Sequence, residues 1–197
     1  MKKLLALCLA VCLVFAFAGC GNTETPETNP EIEELAISGK IDGIDFGLGS
    51  DVATVKQHYK SLAESQEDHF ESDDHDHSAE HAYYNLITKD GYSIIDISTA
   101  RFYYVQGSED KGIAAISTDG PTFGFTPGVT MKYEVEESVE SSGKTLNATE
   151  DDLRFLAVRT GDTVILRYEY NNYQLNYFFY ENVLIATVLV DTSIWTI

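Results

Sequence analysis

Hydrophobic residues recur at helical spacing in two stretches of the chain. The spacing of three or four residues places the apolar side chains on one face of a helix. In the first stretch these residues are Val52, Val55, Tyr59 and Leu62, and in the second they are Met131, Val135 and Val139. The pattern predicts one helix in each half of the chain.

Segments with alternating hydrophobic and polar residues follow each predicted helix, as is typical of strands. The first set spans 82–88, 92–98, 101–105 and 112–118, and the second spans 153–159, 163–170, 173–180 and 183–191. The pairs Asn171-Asn172 and Glu181-Asn182 suit two-residue hairpin turns, because Asn tolerates positive φ. Each half is therefore predicted to be a helix followed by a four-stranded antiparallel meander.

A Phe-Gly motif precedes each predicted helix and indicates an internal repeat. It lies in residues 44–52 and again in 122–131, where each copy is expected to form a short strand and a turn. Ser50 and Thr130 are the candidate N-caps. The predicted fold is α+β, with tandem repeats over 37–120 and 121–197 that together form a curved eight-stranded sheet with helices on one face.

These motifs give the chain a resemblance to the β-lactamase-inhibitory-protein-like fold. The resemblance rests on residues 123–130 with Val135, and on 46–51 with Val55, and it spans 37–197. It implies two tandem units of helix plus four-stranded sheet joined into one curved sheet. The disulfides and inhibitory residues of that family have no counterparts here, so the resemblance implies the fold and not inhibition of a β-lactamase.

The N-terminus has the pattern of a bacterial lipoprotein signal. Two lysines precede an apolar run, and small residues precede Cys20. Residues 1–19 are predicted to be the signal peptide, Cys20 the lipid anchor and 20–36 a flexible tether, which places the domain outside the cytoplasm on the membrane surface. The alternative is an ordinary cleavable signal in which Cys20 has no lipid.

The charged residues of the chain limit the classes of partner that are expected. The chain carries 32 acidic and 13 basic residues, for a formal net charge of −19. Such a surface repels nucleic acid, so none is expected as a partner, and it attracts cations and basic protein surfaces. The other cysteines, Cys8 and Cys12, lie in the predicted signal, so the mature domain is expected to have no disulfide.

Histidines and carboxylates concentrate in an insertion over about 67–81, which the second half lacks. Such clusters suit a divalent metal, and the imidazoles favour zinc. A passenger loop and a pH-responsive loop are the alternatives, while His58 is expected to lie at the helix surface. The candidate ligands are His69, Asp73, Asp74, His75, Asp76, His77 and His81.

Tyrosines are frequent in the predicted strands. Neighbours such as Tyr103 and Tyr104 must point to opposite faces of a sheet, so some rings are expected on the face without helices. There they could bind a partner, or simply reflect the strand propensity of tyrosine. The candidate interface residues are Tyr92, Tyr103, Tyr104, Tyr168, Tyr170 and Tyr177.

The two functional hypotheses are both non-enzymatic. No nucleophile motif, phosphate-binding loop or His-Glu-x-x-His pattern occurs in the sequence. The first hypothesis is a membrane-anchored lipoprotein that contacts a protein or cell-envelope ligand through the aromatic sheet face. The alternative is a lipoprotein that binds or senses zinc through the histidine-rich insertion.

Overall fold

The computed structural model describes residues 38–67, 83–149 and 163–195. It contains two α-helices and one eight-stranded antiparallel sheet, so the α+β class is confirmed. The helices are α1 (Val52–Glu67) and α2 (Lys132–Ser141). Within the described ranges, no helix is both long and apolar enough to span a membrane.

The eight strands form two consecutive sets that meet at the centre of the sheet. The strands are β1 (Tyr84–Thr88), β2 (Tyr92–Ile97), β3 (Arg101–Val105), β4 (Ala115–Thr118), β5 (Asn147–Thr149), β6 (Thr163–Tyr170), β7 (Tyr173–Tyr180) and β8 (Val183–Asp191). Their order across the sheet is β1-β2-β3-β4-β8-β7-β6-β5, so the last strand pairs with both β4 and β7. The short strand β5, which pairs with β6, was not predicted, and the predicted strand at 153–159 lies outside the described residues.

Both helices pack against one face of the sheet, which we call the helix face. Val55 of α1 and Val135 of α2 are both fully buried in a single core cluster. Phe102 and Leu189 join that cluster from the sheet, where alternate residues point to the helices. Leu62, predicted on the buried side of α1, is instead 42% exposed.

The other side of the sheet, which we call the opposite face, has its own apolar cluster. Tyr103, Ile165 and Phe178 are almost completely buried there, and Trp195 packs against them from beyond β8. The prediction that tyrosine rings on this face are accessible to a partner is therefore wrong over the centre of the sheet.

The segments that precede the helices differ from prediction. Neither Phe-Gly motif forms a strand: Thr122 and Phe125 form one isolated bridge, around a turn in which Phe123 has φ 53°. The Asp42 carboxylate accepts the Phe123 N–H at 2.9 Å and so holds this turn.

The helix caps also differ from prediction. Asp51, rather than Ser50, accepts the Thr54 N–H at 2.7 Å at the start of α1. The Thr130 hydroxyl accepts the Thr126 N–H, which stabilises the preceding turn rather than α2.

Candidate functional site

Burial separates the six candidate interface tyrosines. Tyr103, Tyr104 and Tyr177 are at most 4% exposed, so the interface prediction is wrong at these three positions. Tyr103 belongs to the opposite face and the other two belong to the helix face. Burial raises the pKa of both Tyr103 and Tyr177, as expected for phenols held away from water.

The remaining three tyrosines are partly accessible but do not form one surface. Tyr92 is half-buried on the opposite face and packs against Trp195, with ring centroids 5.7 Å apart. Tyr168 packs at the margin of the helix-face core, and Tyr170 is 37% exposed at the β6–β7 turn. The predicted continuous aromatic sheet face is therefore absent among the residues that the structure describes.

The predicted anchor and metal ligands lie outside the described residues. These are Cys20, His69, Asp73, Asp74, His75, Asp76, His77 and His81. Within the described ranges, no three His, Cys, Asp or Glu side chains are grouped as a metal site. His58 does lie at the surface of α1, where its Nε2 is 3.6 Å from an Asp45 carboxylate oxygen.

Exposed apolar side chains instead concentrate at one end of the β6–β8 meander. β7 runs from Tyr173 to Tyr180, so we name the two ends of the meander after these residues. Four of the eight exposed large apolar side chains among the described residues lie at the Tyr180 end. These are Val129 at 71%, Tyr133 at 60%, Val164 at 43% and Tyr180 at 37%.

Backbone pairing holds the Tyr180 end together. The segment before α2 runs beside the start of β8: Gly128 N–H donates to Leu184 O at 2.8 Å, and Leu184 N–H donates to Thr130 O at 2.8 Å. Lys132 N–H then donates to Asn182 O in the β7–β8 turn at 2.8 Å. The loop before α2 and the hairpin are therefore joined by three backbone hydrogen bonds.

A cleft of about 560 Å³ opens on the opposite face at this end. Its floor is apolar and its rim carries two carboxylates. The lining residues are Asp119, Gly128, Tyr180, Glu181, Val183, Ile185 and Ala186. An apolar floor with a few polar groups at the rim is typical of a binding site.

The rim carboxylates have no counter-charge in the described part of the chain. Asp119 follows β4 and Glu181 occupies the β7–β8 turn; both are exposed, and neither forms a hydrogen bond or ion pair with a described residue. Nearby, Arg101 Nε is 3.0 Å from Asp96 Oδ1, so that guanidinium is already paired. The cleft is therefore electronegative.

The negative charge at the rim of the cleft affects the pKa of Asp96. Burial raises its pKa above the ordinary value, Arg101 opposes that rise, and the negative charge of Asp119 adds to it. The charge of Asp119 therefore acts on Asp96 of β2 as well as on the cleft.

The cleft is not visible in the sequence because the residues that line it are not contiguous. Asp119, Gly128 and Glu181 come from three separate turns, which β4–β8 pairing and the loop before α2 bring together. One local signal was available: Glu181 occupies the first position of a two-residue turn, where Asn or Gly is usual.

The chain has a structural neighbour of low sequence identity among the solved structures. No protein-family model matches the chain, and no curated protein matches it. A structural match is the DUF4309 family protein YjgB from Bacillus subtilis subsp. subtilis str. 168, with 12% identity and a TM-score of 0.43. That match covers 80% of this chain and 91% of YjgB.

Proposed function

We propose that this chain is a lipid-anchored, extracytoplasmic binding protein that contacts its ligand at the Tyr180 end. The observation that carries this proposal is the coincidence of the cleft with four exposed apolar side chains at one end of the meander. Of these four side chains Tyr180 lines the cleft itself, and exposed apolar surface at the same end as a concave surface is typical of interaction sites. This surface replaces the aromatic sheet face, since half of those tyrosines are buried.

The position of the first described residues supports the proposed orientation. Gly39 lies against Tyr173, where an added side-chain carbon would meet the phenolic oxygen at 3.5 Å. A tether over 20–36 would therefore join the domain near the Tyr173 end. Because β7 rises about 3.3 Å per residue, the Tyr180 end lies about 23 Å further away. The proposed binding surface would face away from the membrane.

Lipidation is tested by metabolic labelling with a fatty-acid analogue. We expect the full chain to carry the label in the membrane fraction, and Cys20→Ala to lose both the label and membrane retention. Cys12→Ala is the control, since Cys12 lies in the proposed signal peptide and should have no effect. If Cys20→Ala were labelled as strongly as the unmodified chain, Cys20 would not be the lipid anchor.

The binding surface is tested with a photoreactive phenylalanine analogue at Tyr180 or Tyr170 in the host cell. The two tyrosines form a matched pair, because each is 37% exposed and they lie at opposite ends of the meander. We expect cross-links to an envelope component from position 180 and few or none from position 170. Equal cross-linking at both positions, or none at 180, would contradict the proposal.

We also propose that the two halves are a tandem repeat. Each half contributes one helix and one meander, both helices pack on the helix face, and Val55 and Val135 are both fully buried. The strand order, with β4 antiparallel to β8 at the centre, is the order that a two-fold rotation between the halves would give. Superposing the first half, 38–67 and 83–118, on the second, 122–149 and 163–191, is the direct check; strands that fail to align in sequence order would refute the repeat.

Zinc binding by the histidine-rich insertion is the second candidate function. The fold favours it in one respect: the helix before the insertion, α1, contacts the strand after it, β1. A segment whose two flanking elements are in contact loses less entropy when it wraps an ion. The insertion would bind zinc through the imidazoles of His75, His77 and His81, with a carboxylate or His69 as the fourth ligand.

Calorimetry tests the zinc proposal. We expect the full chain to bind zinc at micromolar or lower concentrations, and a variant with His75, His77 and His81 changed to alanine to lose this binding. His58→Ala is the control, because His58 lies on α1 outside the insertion. Equal affinity of the triple variant and the unmodified chain would exclude the site.

A further inference from the structure

We propose that the cleft at the Tyr180 end binds a lysine side chain of a polypeptide partner. This inference rests on the proposed function and specifies its ligand. The alkyl stem would lie on the apolar floor formed by Val183, Ile185 and Ala186, and the ammonium would lie between the carboxylates of Asp119 and Glu181.

The negative charge of the cleft favours a cationic ligand. The cleft has two carboxylates at its rim, and none of its described lining residues is basic. The whole chain has a formal net charge of −19, so a basic partner is also attracted over longer distances. By contrast, the nearby Asp96 has its own cation, because Arg101 Nε lies 3.0 Å away.

The apolar floor distinguishes a lysine from a metal ion. Calcium requires six to eight oxygen ligands, about 2.3–2.6 Å away, and the rim offers two carboxylates and one tyrosine hydroxyl. An alkylammonium matches both parts of the site, because its methylenes cover apolar surface while its charged end reaches polar groups. The ring of Tyr180 adds a π face that attracts a cation.

The surroundings of the cleft favour a polypeptide over a small free amine. Val129 follows Gly128 of the cleft lining and is 71% exposed, so it would contact a residue that flanks the lysine. A free diamine would leave this side chain without a contact. Exposed tyrosine beside a charged pocket is a common arrangement at protein interfaces.

Calorimetric titration of the full chain with capped Gly-Lys-Gly tests the proposal. The matched ligand is Gly-norleucine-Gly, which keeps an alkyl stem and lacks the ammonium. We expect the lysine tripeptide to bind at least about ten-fold more tightly, since charge-assisted hydrogen bonds are lost with norleucine. Equal affinity for the two tripeptides would overturn the proposal.

The double variant Asp119→Asn, Glu181→Asn should weaken lysine binding at least about ten-fold. Asn is well suited to position 181, where φ is 49°, so this variant is expected to fold; its thermal melt and the single variant Glu181→Asn verify that. The charge-matched control changes the exposed Asp90 and Asp110 to Asn. An equal loss in this control would show attraction by net charge alone and would refute the site.

An alkylammonium could belong to a lysine of a polypeptide or to a small free amine. Titration with cadaverine distinguishes these two sources. Weaker binding of this free diamine than of the lysine tripeptide supports a polypeptide partner, and tighter binding refutes it. The cross-linking contrast between positions 180 and 170 is independent of ligand charge. If position 180 cross-links and position 170 does not, but the lysine and norleucine tripeptides bind equally, the lysine proposal is refuted. The proposed binding surface at the Tyr180 end would still stand.

Discussion

The two ends of the β6–β8 meander both have a two-residue turn held by a neighbouring segment, but their side chains are very different. At the Tyr173 end, Thr192 N–H donates to Asn172 O at 2.8 Å; at the Tyr180 end, Lys132 N–H donates to Asn182 O at 2.8 Å. In both turns the carbonyl of the second residue is therefore hydrogen-bonded. The difference lies in which side chains remain exposed.

Aromatic packing dominates at the Tyr173 end. Trp195 lies over Tyr103 and Tyr92, with ring centroids 6.1 and 5.7 Å away, and Gly39 lies against Tyr173. At the Tyr180 end, apolar side chains are exposed around two carboxylates without a described partner. This contrast indicates that one end contributes mainly to stability and the other remains available for binding.

The largest expected effect is on stability at the Tyr173 end. Tyr103→Ala should lower the free energy of unfolding by about 3–5 kcal/mol, because a buried ring leaves a cavity. Tyr180→Ala should change it by no more than about 0.5 kcal/mol, because that ring is partly in solvent. Urea denaturation measures both, and Tyr103→Phe is the control that keeps the ring. A loss in Tyr180→Ala comparable to that in Tyr103→Ala would remove the distinction between the ends.

An exchange of the turn residues should give a smaller effect of opposite sign at the two ends. Glu181 has φ 49° and Asn171 has φ 52°, and Asn adopts this conformation more readily than Glu. Glu181→Asn should therefore raise the free energy of unfolding, and Asn171→Glu should lower it, each by on the order of 0.5–1 kcal/mol. If Glu181→Asn were destabilising, Glu181 would have a structural role rather than a binding role.

The smallest effect concerns the ionisation of Asp96. The charge of Asp119 contributes to its raised pKa, so Asp119→Asn should lower that pKa. Carboxyl NMR across a pH titration measures this, and Glu109→Gln is the control because Glu109 is an exposed residue in the loop between β3 and β4. An unchanged pKa of Asp96 in Asp119→Asn would show that the rim charge does not reach this residue.

The same shift has a consequence for stability. Because folding raises the pKa of Asp96 above the usual 3.8, the folded state holds this proton more tightly than the unfolded chain. The resulting contribution to stability is fully present below pH 3.8 and is lost as the pH rises through the raised value. The free energy of unfolding of Asp119→Asn should therefore fall less over this pH range than that of the unmodified chain.

Local patterns predicted much of the sheet. The expected ranges 101–105, 163–170, 173–180 and 183–191 match β3, β6, β7 and β8 residue for residue, because alternation and two-residue turns are local signals. The fourth strand begins at Ala115 rather than at Gly112. A side-chain carbon at Gly112 would lie 2.5 Å from Gly49 O, so the chain crosses another segment there.

Long-range pairing could not be predicted in the same way. The central β4–β8 contact joins residues far apart in sequence, and it decides which turns surround the cleft. The alternation pattern also does not predict burial. It places a ring on one face of a sheet but does not say what covers that face, as Tyr103, Tyr104 and Tyr177 show.

Amide chemical-shift mapping of the full chain during titration with capped Gly-Lys-Gly tests most directly the proposal that the cleft at the Tyr180 end binds lysine. We expect saturable shifts at Asp119, Gly128 and Glu181, with little change at Tyr92 and Asn172 near the Tyr173 end. Saturable shifts confined to the Tyr173 end, or none at the Tyr180 end at ligand concentrations that saturate the calorimetric titration, would contradict it.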